Sequence, residues 1–183
     1  MTLFANLGTA NSVRFYFLWL FGASFVLFAG GTAHAGDDKE LPHDHTVLIG
    51  LGGATEYELG GGSFHSGGNA MVEWDIIENW LELEVAASLL AGDKGVEVPA
   101  DLIVKKPFRL AQVVEFMIGV GPELVRVFTP AKKTTYVGGQ VAVDFLLWPS
   151  HRFGLWVEPS YDLVIRSTPL HGIGSTGGLL VGW

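Results

Sequence analysis

From residue 46 onward, apolar and polar residues alternate with a period of two, and clusters of turn-forming residues interrupt the alternation. Such spacing puts successive side chains on opposite faces of an extended strand. Residues 80–90 show it best: Leu81, Leu83, Val85, Ala87 and Leu89 share one face, and Glu82, Glu84, Ala86 and Ser88 the other. The pattern predicts eight strands, over residues 46–58, 68–77, 80–90, 96–105, 108–128, 135–147, 153–165 and 173–183. The expected connections include residues 60–66, Glu78-Asn79, a turn at residues 92–95, and a tight turn at Lys106-Pro107. In the long fifth segment, Arg126 has the same parity as Val114 to Val120. Either a bulge near Gly121-Pro122 resets the parity, or Arg126 sits beyond the apolar row in solvent. No repeat at i, i+3, i+4 and i+7 persists beyond residue 35, so a helical domain is not expected.

The chain before residue 36 reads differently. Arg14 precedes an apolar run over residues 15–29, and a small-x-small site follows at Ala33-His34-Ala35. This is the layout of a secretory signal peptide cut between Ala35 and Gly36. An uncleaved anchor helix is the alternative, since the uncharged run reaches Ala33 and a span needs roughly 17–25 residues. The Gly30-Gly31 pair and the Ala-x-Ala pattern favour removal. The expected organisation is a signal peptide at residues 1–35, a flexible periplasmic leader at 36–45, and a barrel at 46–183. With no Cys, neither a lipid-modified cysteine nor a disulfide can hold the mature protein, so closure and packing must stabilise it. The formal net charge of −8, with every acidic residue after position 35, sets nucleic-acid binding aside.

Alternation does not say which face of a barrel meets solvent. A soluble barrel turns its apolar face inward, and a membrane barrel turns it outward. Val114, Phe116, Ile118 and Val120 form one apolar row, and Val137, Val141, Val143, Phe145 and Leu147 another. The opposite faces carry Gly, Ala and single carboxylates, which suit a narrow interior. Only 16% of the residues are charged, few for a barrel with its polar face in water. Trp80, Trp148 and Trp183 fall at strand ends, where an aromatic girdle at a membrane interface is expected. With the N-terminus in the periplasm, the first, third, fifth and seventh connections face outside, and these include the longer polar ones.

The last segment alternates Leu179, Val181 and Trp183 against glycines and ends on an aromatic residue. It resembles the C-terminal assembly signal of bacterial outer-membrane proteins, although the usual last residue is Phe. Together with the signal peptide and the strand count, the chain resembles the small eight-stranded outer-membrane barrels. Val47 to Gly53 is similar to the first strand of uncharacterised members with a His-containing leader. The resemblance implies an all-β, antiparallel up-and-down transmembrane barrel in the outer membrane. It implies lipid, the barrel-assembly machinery and periplasmic chaperones as partners, a monomeric state, and no catalytic residue.

Parity sends Glu73, Glu82, Glu84, Asp101, Glu115, Asp144 and Glu158 into the lumen, with Glu56, Glu58, Asp75 and Asp162. Lys105, Arg109 and Arg166 are the inward basic candidates. An ordinary polar plug accounts for such an interior; a cation-attracting lumen is the sharper alternative. His43-Asp44-His45 has metal-compatible groups, but i, i+2 pairs in a flexible leader are usually incidental, and no metal or cofactor is expected. His65-Ser66 is expected in a loop and His151 in a turn, and no Gly-x-Ser-x-Gly elbow or phosphate loop occurs. The reading is a non-enzymatic envelope barrel with an acidic, plugged lumen. The alternatives are a soluble periplasmic lipocalin-like binder of an apolar ligand and an outer-membrane lipid-modifying enzyme.

Overall fold

The computed structural model describes residues 46–183 apart from Asn79 and Lys94. The expected signal peptide with its Ala33, Ala35 and Gly36 cleavage site, and the leader with His43-Asp44-His45, lie outside the described residues. Eight strands follow in order: β1 (Val47–Glu58), β2 (Phe64–Ile77), β3 (Leu81–Gly92), β4 (Gly95–Ala111), β5 (Val114–Phe128), β6 (Lys133–Leu147), β7 (Phe153–Ile165) and β8 (Leu170–Gly182). Each pairs antiparallel with its sequence neighbours, and β8 returns to β1 to close the barrel. Closure gives every strand a neighbour on both sides, so none of the eight is an edge strand. The end where β1 begins and β8 finishes is termed the lower end, and the opposite one the upper end.

The period-two pattern becomes an inside and an outside. On β3, Glu82, Glu84, Ala86, Ser88 and Leu90 are buried, while Val85, Ala87 and Leu89 are exposed. The same inversion runs round the wall, where Leu51, Val72, Val104, Ile118, Val141, Leu155 and Leu179 all face outward. Spin labels at Val85 and Ala87 are therefore expected to be accessible to oxygen dissolved in lipid, and labels at Glu84 and Ala86 shielded. Equal accessibility along residues 83–87 would contradict the alternation.

Two strand boundaries differ from the sequence expectation. The β4–β5 turn is at Gln112-Val113, not at Lys106-Pro107. Beyond Lys105, β4 has run past the start of β3 and pairs with β5 alone, Pro107 lying opposite Met117. A missing N–H is tolerated on such a one-sided stretch. The β1–β2 connection is also shorter, because β2 begins at Phe64 and the glycines at 67 and 68 pair within the sheet. Gly is depleted in strands on average, but here the neighbours demand it: a Cβ on Gly67 would run into the Leu89 carbonyl. On β5, Pro122 sits in a gap of the β4 ladder, yet pairing with β6 runs unbroken from Val114 to Phe128. The parity is not reset. Arg126 thus faces outward near the upper end, its guanidinium 5.4 Å from the Phe128 ring centroid.

Trp148 is not part of an outer girdle. Only 2% exposed, it packs inside with Trp156, Leu48, Met71, Met117, Leu146 and Leu180. It follows Asp144 and Leu146 on the inward parity of β6, and a residue just past a strand end still obeys that parity. Two glycines make room for these indoles. A Cβ on Gly154 would lie 2.9 Å from Trp148 Cε3, and one on Gly178 2.8 Å from Trp156 Cζ3.

Candidate functional site

Among the described residues the lumen concentrates the titratable side chains, and its contents fall into three groups. The apolar group around Trp148 and Trp156 comes mainly from β6, β7, β8 and β1. A second group centres on Lys105 of β4, a fully buried ammonium. Its Nζ lies 2.5 Å from Asp144, 2.7 Å from Glu84, 3.0 Å from Glu158 and 3.3 Å from Glu73. Gly119 on β5, directly opposite Lys105, leaves space for the lysine stem, because a Cβ there would be 2.7 Å from Lys105 Cγ. Three donors on one ammonium meet four carboxylates from four strands, so the single cation ties β2, β3, β6 and β7 across the interior. Loss of that one positive charge would leave four buried acids with no opposite charge beside them.

The third group lies higher. Glu56 (β1), Asn69 (β2), Asp101 (β4), Glu123 (β5), Gln140 (β6) and Asp162 (β7) line a cavity of about 30 Å³. Asp101 is opposite Glu123 in the register, and Gln140 opposite Asp162. Asn69 donates a 3.0 Å hydrogen bond to Ser88 Oγ, and Ser160 donates one of 3.2 Å to Asp162 Oδ2. Higher still, His65 Nδ1 is 3.6 Å from Glu97 Oε2, and the Arg166 guanidinium stacks 5.2 Å from the Tyr136 ring centroid.

Of the eleven carboxylates expected in the lumen, Glu73, Glu82, Glu84, Asp101, Asp144, Glu158 and Asp162 are buried inside, and Glu56, Glu58, Asp75 and Glu115 are half-buried. Lys105 is inside, Arg109 is exposed at the lower rim, and Arg166 is half-buried. Glu123 is a lumen carboxylate that the sequence expectation lacks. The strand is unbroken, and Glu115 and Glu123 share one parity on it. His65 is not in a loop but inside the barrel on β2, since pairing continues to Phe64. At the lower rim Trp80 and Trp183 are 54% and 58% exposed, with Lys106 Nζ 5.3 Å from a Trp80 ring. Leu179, Val181 and Trp183 share the outward face of β8. The end of that strand is zipped to β1 by Trp183 N donating to Val47 O at 3.0 Å and Val47 N to Trp183 O at 3.2 Å. On the outer wall Tyr161 and His171 share a 2.5 Å hydrogen bond, while Ser160 faces the lumen and His151 is in an exposed lower turn.

No family model and no curated protein matches the chain. Solved structures do match in shape. Neisserial surface protein A (NspA) superposes with a TM-score of 0.61 at 13% identity, over 75% of this chain and 96% of that one. The outer membrane protein OprG from Pseudomonas aeruginosa gives 0.53 at 8% identity, over 79% and 99%. The N-terminal β-barrel domain of Pseudomonas aeruginosa OprF gives 0.53 at 7% identity, over 74% and 98%. At such identities the likeness is one of fold. A closed barrel of this fold, with hydrocarbon side chains outside and carboxylates inside, is a membrane-spanning β-barrel. The protein is a small eight-stranded barrel of the bacterial outer-membrane type.

Proposed function

We propose that the protein is a non-enzymatic structural component of the outer membrane whose lumen does not conduct. The observation that carries this reading is the filled interior, occupied by Trp148, Trp156 and their apolar neighbours and by the Lys105 cluster. An eight-stranded barrel is just wide enough for side chains to fill it. The upper connections, at residues 59–63, 93–94, 129–132 and 166–169, are short, which supports an envelope role over recognition by extended loops. Against a lipid-modifying enzyme stands the outer wall, where the positions directly opposite Tyr161 and His171 are the apolar Ile173 and Leu163. Lipid, the barrel-assembly machinery and periplasmic chaperones are the partners this reading entails, with the barrel acting as a monomer.

Fractionation tests it. The protein is expected to remain with outer membranes after a carbonate wash, to migrate faster unheated than boiled, and to show no conductance in planar bilayers. Release into the periplasmic fraction would favour the soluble binder, and a changed lipid A mass on overexpression would favour the enzyme.

A further inference from the structure

We propose that the upper lumen is a binding site for one divalent cation of the Ca²⁺ kind, admitted from the upper end. Four carboxylates, Glu56, Asp101, Glu123 and Asp162, surround the small cavity there. Acidic residues alone do not make a site, but the neutral side chains between them point the same way. Asn69 and Gln140 are 8% and 7% exposed, and their carbonyl oxygens, Asn69 Oδ1 and Gln140 Oε1, line the cavity without a hydrogen-bond partner in the chain. Asp101 Oδ1, Glu123 Oε2 and Asp162 Oδ1 are likewise unpartnered. Five buried acceptors thus converge from five strands. A buried acceptor without a donor loses free energy, and a buried carboxylate loses more.

The basic groups nearby are already engaged. Lys105 is held by the four carboxylates below and His65 lies against Glu97, while Arg166, stacked on Tyr136, acts on Glu56 at the edge of the group. Water could donate to the orphaned oxygens, but only a cation also offsets the mutual repulsion of the four acids when they ionise. A cation meets both needs.

Size and ligand type narrow the class. On the scale where a water takes roughly 10–15 Å³, a 30 Å³ cavity admits a single ion with a retained water or two, not a polyamine or a sugar. The donors are carboxylate and amide oxygens, the hard ligands of Ca²⁺ and Mg²⁺ rather than of Zn²⁺ or Cu²⁺. Among the described residues no three acidic or imidazole groups already form a metal cage. The ion must therefore share its sphere with amide oxygens and water, an irregular arrangement that Ca²⁺ accepts and the near-octahedral Mg²⁺ does not. The apolar group and the Lys105 cluster close the lower lumen, so the ion enters and leaves at the top.

The test is equilibrium dialysis of the refolded full-length barrel in detergent against CaCl₂ and, separately, MgCl₂. One saturable Ca²⁺ per chain is expected, with Mg²⁺ at least tenfold weaker. Asn69→Leu, which changes no charge, should weaken Ca²⁺ binding about tenfold, and Asp101→Asn more. Glu115→Gln, below the Lys105 cluster, should leave it unchanged. Heat-modifiable mobility verifies that each variant folds, and Gln140→Leu replaces any that does not. No saturable binding, or equal loss in Glu115→Gln and Asn69→Leu, overturns the proposal. This inference goes beyond the structural role and fails separately from it: conductance in bilayers would sink the closed lumen, whereas a flat binding isotherm sinks only the cation site.

Discussion

Replacing Val120 with arginine is expected to destabilise the barrel by about 2–4 kcal/mol, the penalty for a charge on the lipid face at the bilayer midplane. Val120 is 62% exposed and sits midway along β5, between the outward-facing Val104 of β4 and Val141 of β6. Its surroundings on the wall are apolar, and no acidic side chain faces out beside it in the register. Urea unfolding in lipid vesicles, followed by tryptophan fluorescence, measures the loss. The matching control is Arg126→Leu near the upper end of the same strand, where the side chain leaves the hydrocarbon and a change below about 1 kcal/mol is expected. In a soluble barrel the same Val120 face would be in water, and the arginine would be harmless. An unchanged unfolding midpoint for Val120→Arg is the result that removes the membrane wall.

The second large effect belongs to Lys105. Lys105→Met should lose about 3–5 kcal/mol, because it strands four buried carboxylates without their shared cation. Much of that loss is the penalty on the carboxylates and not the worth of the lysine's own contacts. Adding Glu84→Gln and Asp144→Leu to Lys105→Met should therefore recover part of the stability, because it halves the number of buried carboxylates left without the lysine. The same urea titration reads both variants. If Lys105→Met unfolds at the wild-type midpoint, the cluster does not hold the strands together.

Much of the wall is legible in the amino-acid sequence alone. Period-two alternation separates Leu83 and Val85 from Glu82 and Glu84 because a strand has no other way to present its side chains. The eight segments, their up-and-down order and the outward placement of the apolar rows follow from that rule plus the low share of charged residues. Where sequence and fold disagree, a local signal competes with pairing. Lys106-Pro107 carries turn chemistry, yet β4 continues through it because β5 supplies a partner as far as Ala111. The glycines before Gly68 look like a loop, yet Gly67 is strand because neighbours on both sides need a residue without a Cβ. Trp148 has the composition of a girdle residue, but parity decides its side of the wall.

The candidate site is legible only as a set of inward carboxylates. Which of them share Lys105, and which surround the upper cavity, depends on how far each strand is staggered against the next. That stagger is set when the ring closes, and a linear chain contains no direct measure of it. Glu84 and Glu158 are far apart along the chain, yet both lie within 3.0 Å of one ammonium. The sequence by itself determined the number of strands, their order and the side of the sheet that most of their residues occupy, because these are local consequences of backbone geometry. Only the tertiary structure decided the layering of the lumen: indoles against glycines, one lysine among four acids, and above them acceptors without donors. Those contacts join strands on opposite sides of the barrel, and they exist only once it is closed.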